Sequence, residues 1–272
     1  MRRLAPLLLL LVSCASTTTA PTPACNPGHS ILNATLYVQS SAEYRAAAMQ
    51  TYAAARRALD EALADPSRVG AIEEMNEDPA QPPAIIVDAD ETVLDNTPFE
   101  ARVIAKGMSY DEAMWKQWTS EGAAGAIPGA SEFLAYAKSR GVTVFYITNR
   151  DEDERPGTMS NLRKLGYPLE DNVETLLLRG ADKVSDKSAR RKRVADQYRV
   201  LLMAGDDLND FANARRAPWQ ERDALIMKMK DWWGTRWFML PNPMYGSWEH
   251  AAIGAGGTPC EQVERKVKAL KP

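Results

Sequence analysis

What this chain has little of narrows it first. Its N-terminal apolar run, Leu4 to Val12, falls far short of the ~20 residues that span a bilayer, so it predicts no transmembrane helix. It has no excess of positive charge. The formal net charge is −3, and it becomes −5 if Arg2 and Arg3 leave with an N-terminal signal, which argues against a general binder of nucleic-acid polymer or of anionic membrane. No internal repeat is visible, which leaves one sizeable domain, with 45% apolar residues to fill its core. Histidines number two, His29 and His250, and cysteines three, Cys14, Cys25 and Cys260, so few residues are open to histidine or thiol chemistry.

What is present begins with an address. Arg2 and Arg3 precede the apolar run, the pattern of a signal peptide over residues 1–13. The run ends in Leu11-Val12-Ser13-Cys14, which resembles a bacterial lipobox, with cleavage before Cys14 and lipid on its sulfur; an ordinary secretory signal with a chance cysteine is the alternative. Ala15 stands where an Asp would resemble an inner-membrane retention signal, so the expected location is the outer membrane, exported and lipid-anchored. Residues 14–30, dominated by Thr, Pro and Ala up to Pro27, read as a flexible tether. Cys25 and Cys260 remain as an even pair near the two ends of the mature chain in an oxidising compartment, either as a disulfide or as two free buried thiols.

The body, residues 31–272, alternates strand and helix. Residues 41–64 are rich in Ala and long side chains, with Tyr44, Ala48, Tyr52, Ala55 and Leu59 at helical spacing, and Asp65-Pro66 ends that helix. Short apolar runs at 84–87, 142–147, 175–178, 200–204 and 237–240 predict buried strands, and the stretches 129–139, 155–165 and 185–198 predict helices between them. The fold class is therefore α/β, with a mainly parallel sheet flanked by helices. Residues 97–128, which hold Met108, Trp115 and Trp118, read as a small helical cap insertion.

In an open parallel sheet, ligands bind beyond the carboxyl ends of the strands. Those positions hold Asp88-Ala89-Asp90-Glu91-Thr92, Thr148-Asn149-Arg150 and Gly205-Asp206-Asp207-Leu208-Asn209-Asp210. Asp88, Asp90, Asp206 and Asp210 brought together could not all stay ionised without a cation, and Mg²⁺ with its preference for oxygen ligands suits them. At these residues the chain resembles the haloacid dehalogenase superfamily, and within it the class C acid phosphatases, outer-membrane lipoproteins often active as 5′-nucleotidases. "DADETVLDN" is similar to that group's first motif, "ITNR" to its second, the lysine of "DKSAR" to its third and "GDDLNDF" to its fourth, with "LPNPMYGSWE" matching a later signature.

The resemblance implies a Rossmann-like fold and hydrolysis of phosphomonoesters. Asp88 would be the nucleophile that forms an aspartyl-phosphate, and Asp90 the acid/base. Asp88, the Asp90 carbonyl and Asp206 would hold Mg²⁺, and Asp210 would orient the lysine or a metal-bound water. Thr148, Asn149 and Lys187 would bind the phosphoryl oxygens. Trp115 and Tyr245, and less directly Trp118, would stack on an aromatic leaving group, although core packing accounts equally well for any one aromatic. Lys183 is the substitute if the third motif aligns differently. The expected partners are a small phosphomonoester and the membrane, and a homodimer stays open.

Rival readings fare worse. An EF-hand loop over "DADETVLDN" would need Gly at its sixth position and Glu at its twelfth, where Val93 and Phe99 stand. Helix caps explain a single Asp after a strand but not four motifs in order. "KSARRKRVADQYR" in an acidic exported chain reads as a solvated helix face. Neither histidine sits in an Arg-His-Gly setting, which speaks against a phosphohistidine mechanism. A phosphotransferase using the same intermediate, and a non-catalytic binding lipoprotein, remain as alternative functions.

Overall fold

The computed structural model describes residues 25–73 and 78–271. The signal peptide 1–13, Cys14 and the tether up to residue 24 lie outside the described residues. In chain order the elements are α1 (Leu32–Ser40), α2 (Ala42–Ala64), β1 (Pro83–Val87), β2 (Leu94–Asp95), α3 (Thr97–Ala105), α4 (Glu112–Glu121), β3 (Gly125–Ala126), α5 (Ala130–Ser139) and β4 (Thr143–Asp151). They continue with α6 (Arg155–Lys164), β5 (Leu176–Arg179), α7 (Ser188–Ala195), β6 (Arg199–Gly205), α8 (Leu208–Phe211), α9 (Trp219–Lys228), β7 (Trp237–Met239), α10 (Ser247–Ile253) and α11 (Pro259–Ala269).

Five strands form a sheet in the order β5-β4-β1-β6-β7, and every neighbouring pair is parallel. The alternation of side chains along β1 shows why its residues are apolar throughout. Ile85 and Val87 enter a core built on Tyr52, Ala55 and Leu59 of α2 and Phe133, Leu134 and Ala137 of α5. Ala84 and Ile86 face the opposite core, with Val194 and Ala195 of α7, Phe211 of α8 and Trp237 of β7. Both faces of the sheet are covered, as a parallel sheet requires. The face of α2 that packs inward carries the five residues read from its periodicity, and its start is capped by the Ser41 hydroxyl, which accepts from the Tyr44 N–H at 3.0 Å.

Residues 97–128 contain α3 and α4, rooted on the antiparallel pair β2–β3, in which Leu94 faces Ala126 and Asp95 faces Gly125. Two boundaries differ from expectation by more than a small shift at an element's end. Residues 25–30, assigned by composition to the tether, are folded: Pro27–Ser30 make a 3-10 helix begun by the Asn26 side chain, which accepts from the Gly28 N–H, and Cys25 is bonded to Cys260 with Cα atoms 6.0 Å apart. Composition could not show this, because the staple comes from the far end of the chain. The second strand motif also does not stop at Ile147. β4 runs on to Asp151, and its register against β5 shifts between Ile147 and Asp151, so Thr148-Asn149-Arg150 lie within an irregular stretch of strand.

Candidate active site

The chain moves outward from β1 to β4 and β5, then crosses back to β6 and β7, so β1 and β6 flank the point where the connections reverse. Asp88 follows β1 directly, its N–H donating to the Ala204 carbonyl of β6 at 2.9 Å. Asp206 follows β6, and Asp210 lies in α8, where its carboxylate accepts from the Asp207 N–H at 2.9 Å in a capping box. Gly205 is required here, since a side chain on it would collide with the Asp210 carboxylate. Oxygens of Asp88, Asp206 and Asp210 all lie within 4.8 Å of one another.

One cation answers them directly. Lys187, at the start of α7 and 99 residues from Asp88, donates from Nζ to Asp88 Oδ1 and to Asp210 Oδ1, the latter at 2.7 Å. Burial by itself would lower the Lys187 pKa, but Asp210 and Asp88 outweigh it and hold the ammonium above its ordinary range. Burial pushes Asp88 up to about 7; Lys187 opposes this, while Asp210 and Asp90 add to it. Asp206 is raised well above the carboxylate range, by burial first and then by Asp210 and Asp88. Three carboxylates, those of Asp88 and Asp210 buried and that of Asp206 half-buried, have one lysine paired with them among the described residues and are short of positive charge; an all-oxygen donor set of this kind fits a hard divalent cation.

Asp90 points away from Lys187 into a second set of donors. Arg150 forks onto it, with Nη2 at 2.6 Å from Oδ1 and Nε at 3.1 Å and 3.2 Å from its two oxygens. Asn96 Nδ2 donates to Oδ1 at 2.8 Å and the Thr148 hydroxyl to Oδ2 at 3.3 Å. Asn96 is itself held: its N–H donates to Glu91 Oε1 at 3.0 Å, and its Oδ1 accepts from Trp118 Nε1 at 2.8 Å. Glu91 has φ of 55°, a sparsely populated conformation for a non-glycine residue, in the turn between the two motif aspartates and β2.

The remaining candidates are placed as follows. Asn149 lines the cavity and accepts on Oδ1 from Arg190 Nη2 at 2.7 Å, whereas the Thr148 hydroxyl is committed to Asp90. Trp115 and Tyr245 both line the cavity; Trp118 does not, being buried with its indole N–H given to Asn96. Lys183 lies on the surface, paired with Asp151 at 2.5 Å and not with Asp88, so the third-motif lysine at the centre is Lys187. The late signature reaches the site through two contacts: Asn242 Nδ2 donates to Asp206 Oδ2 at 2.8 Å, and the Ser247 N–H and hydroxyl donate to Asp207. Sequence reasoning gave no role to Arg150, Asn96, Arg190 or Asn242. All four stood inside motifs already singled out, but nothing in their spacing said which group each would meet.

The cavity over these groups has a volume of about 650 Å³, more than a phosphoryl group fills. It is lined by the carboxylate cluster, by Phe99, Glu100 and Trp115 of α3 and α4, and by Met244, Tyr245 and Ser247. Gln262 and Lys266 of α11, together with Pro27, Ser30 and Ile31, complete its rim.

Comparison with known proteins gives a consistent picture. The family model described as HAD superfamily, subfamily IIIB (acid phosphatase), matches residues 8–248. The chain is 27% identical over 166 residues to acid phosphatase 1 of Solanum lycopersicum, a match covering 59% of this chain and 57% of the tomato protein. It is equally similar to the stem 31 kDa glycoprotein of Glycine max, over 59% and 58% of the two chains. The matches thus span somewhat over half the length of these plant relatives. Among solved structures, the class C acid phosphatase from Bacillus anthracis superposes with a TM-score of 0.81 at 31% identity, covering 91% of this chain and 99% of that one. The crystal structure of class C acid phosphatase from the same organism with tungstate bound superposes with a TM-score of 0.80, again at 31% identity, over 90% and 98%.

Proposed function

Because the chain belongs to subfamily IIIB, the acid phosphatases, of the haloacid dehalogenase superfamily, we propose that it hydrolyses phosphomonoesters at the β1–β6 end of its sheet through a phosphoryl-aspartate on Asp88. The observation that carries this reading is the juxtaposition of Asp88, Lys187 and the Asp206–Asp210 pair at one point, from three separated motifs.

Asp88 attacks phosphorus with a carboxylate oxygen, and the ester oxygen leaves on the far side. Asp90 lies two residues on, gives the leaving oxygen its proton and then takes one from the water that opens the aspartyl-phosphate. Arg150 and Asn96 aim Asp90 for both steps, and Trp118 fixes Asn96. Lys187 balances the charge that develops on the phosphoryl oxygens, and Asp210 keeps its ammonium in place. Asn149 is positioned by Arg190 to meet a phosphoryl oxygen. Asp88, Asp206 and the Asp90 carbonyl are the proposed ligands of Mg²⁺, which would polarise the phosphoryl group and offset the carboxylate charge. The Bacillus anthracis enzyme is seen with tungstate bound, a tetrahedral oxyanion like phosphate, which supports a phosphate-like ligand for this chain.

Trp115 and Tyr245 both line the cavity, which favours substrates with an aromatic leaving group, nucleoside 5′-monophosphates among them. An exported protein, lipid-anchored at Cys14 in the outer membrane, is the proposed setting. It is supported by the sequence from Arg2 to Cys14 and by an oxidised cysteine pair in the folded body.

The test is phosphate release from p-nitrophenyl phosphate and a nucleoside monophosphate, with Mg²⁺ or with EDTA, by the wild type and by Asp88→Asn. Release that needs both the metal and Asp88 is the expected result. Full turnover by Asp88→Asn would remove Asp88 as nucleophile, and full turnover in EDTA would remove the metal.

A further inference from the structure

The cavity wall formed by α3 and α4 contains a carboxylate for which the proposed reaction has no use. Asp88 and Asp210 share Lys187, Asp90 has Arg150, Asp206 has Asn242, Asp207 has Ser247, and Glu249 has Lys266 at 2.8 Å. Glu100 also lines the cavity and is only 7% exposed, yet among the described residues no donor or cation reaches its side chain. Aromatic residues line the same cavity. Phe99 precedes it on α3, and the Phe99 ring meets Trp115 edge-on at 5.0 Å and Tyr110 at 6.2 Å. Burial alone pushes Glu100 up to about 7, and the nearby Glu91, itself raised well above the carboxylate range, is a second acid that offers it no positive charge.

A buried carboxylate with no partner is costly, and a chain that has one beside an aromatic wall keeps an acceptor ready for something that is not part of itself. The group that would satisfy it is a nitrogen that donates N–H or carries positive charge, attached to a ring that lies along Phe99 and Trp115. We propose that Glu100 determines specificity by accepting a hydrogen bond from a nitrogen on the leaving group, so that the cleft prefers aromatic phosphomonoesters bearing an amino or cationic nitrogen. This rests on the phosphomonoesterase reading and adds to it the chemistry by which one end of the substrate is chosen. Glu100 is a binding residue in this scheme and takes no part in phosphoryl transfer.

The experiment compares matched esters: para- and meta-(aminomethyl)phenyl phosphate against the corresponding methylphenyl phosphates, at about pH 7.5, where both the carboxylate and the ammonium are largely charged. The readout is the ratio of kcat/KM for the amino ester over the methyl ester, in the wild type, Glu100→Gln and Glu100→Ala. A ratio of about tenfold or more in the wild type for at least one isomer is expected, as for a hydrogen bond between charged groups. It should fall toward one in Glu100→Ala and to an intermediate value in Glu100→Gln, which keeps an acceptor without the charge. A wild-type ratio near one for both isomers, or an undiminished ratio in Glu100→Ala, overturns the inference. Glu100→Gln is nearly isosteric and preserves the test if the alanine variant does not fold. Hydrolysis of neither ester by the wild type would instead overturn the phosphatase reading itself, and this inference with it.

Discussion

Glu100 also allows a stability prediction worked from one number. Burial raises it from 4.5 to about 7. Between those values the folded chain holds a proton that the unfolded chain has released, so stability falls as pH rises through that window, and the loss is complete above about 7. At ~1.36 kcal/mol for each pH unit, the ionised carboxylate costs the fold about 3 kcal/mol. Glu100→Gln keeps the shape and removes the charge. Its stability should match the wild type near about pH 4, rise above it progressively through the window and exceed it by about 3 kcal/mol near pH 8, a gain in Tm of roughly 6–12 °C for a domain of this size. Guanidinium unfolding of both proteins over that pH range, at fixed Mg²⁺, measures the difference directly. The other raised carboxylates of the site are present in both proteins and cancel, apart from Glu91, whose rise includes a smaller contribution from Glu100 that the variant removes. Parallel pH profiles for wild type and variant would refute the reasoning, since they would mean that Glu100 ionises in the fold as easily as in the unfolded chain.

Three other perturbations have defined outcomes. Arg150→Ala leaves Asp90 without its fork and should lower kcat by on the order of a hundredfold with little change in KM; steady-state kinetics on p-nitrophenyl phosphate check it, and a pure KM effect would return Arg150 to substrate binding. Asp206→Asn should raise the Mg²⁺ concentration needed for half-maximal activity by tenfold or more, read from metal titrations, whereas an unchanged titration would remove Asp206 from the ligand set. Cys25→Ser opens a loop closed across a separation of 235 residues and should lower unfolding stability by on the order of 5 kcal/mol in the chain-entropy treatment, measured by denaturant titration beside the reduced wild type.

Much of this arrangement was legible because strands of a parallel sheet announce themselves and their ends are where chemistry collects. β1 could be read from Ala84-Ile85-Ile86-Val87 and α2 from the spacing of Tyr44 to Leu59, since both patterns follow from burial alone. The family could be named because its motifs lie in order behind those strands. What could not be read depends on distances across the sequence. Arg150 and Asn96 meet Asp90 from 60 and 6 residues away, and no periodicity encodes that pairing. The run of β4 through its motif to Asp151 was hidden because Thr148-Asn149-Arg150 is polar, and only the shifted pairing with β5 keeps it in the sheet. Trp115 and Trp118 lie one helical turn apart on α4, yet one faces the cavity and the other serves Asn96, a difference that only the packed structure decides.

The bond between Cys25 and Cys260 also decides how the folded body responds to tension. A pull applied from a point before Cys25 to a point after Cys260 passes from sulfur to sulfur, and everything between them lies off the load path. The parallel sheet, whose strands would otherwise be peeled away in turn from its ends, is mechanically short-circuited. With the bond reduced, the same pull would enter at residue 25 and first strain the 3-10 helix and α1, beside the rim that Pro27, Ser30 and Ile31 contribute to the cleft. The oxidised form thus lets the two ends of the chain be pulled apart while the spacing of Asp88, Lys187 and Asp206 stays what folding made it.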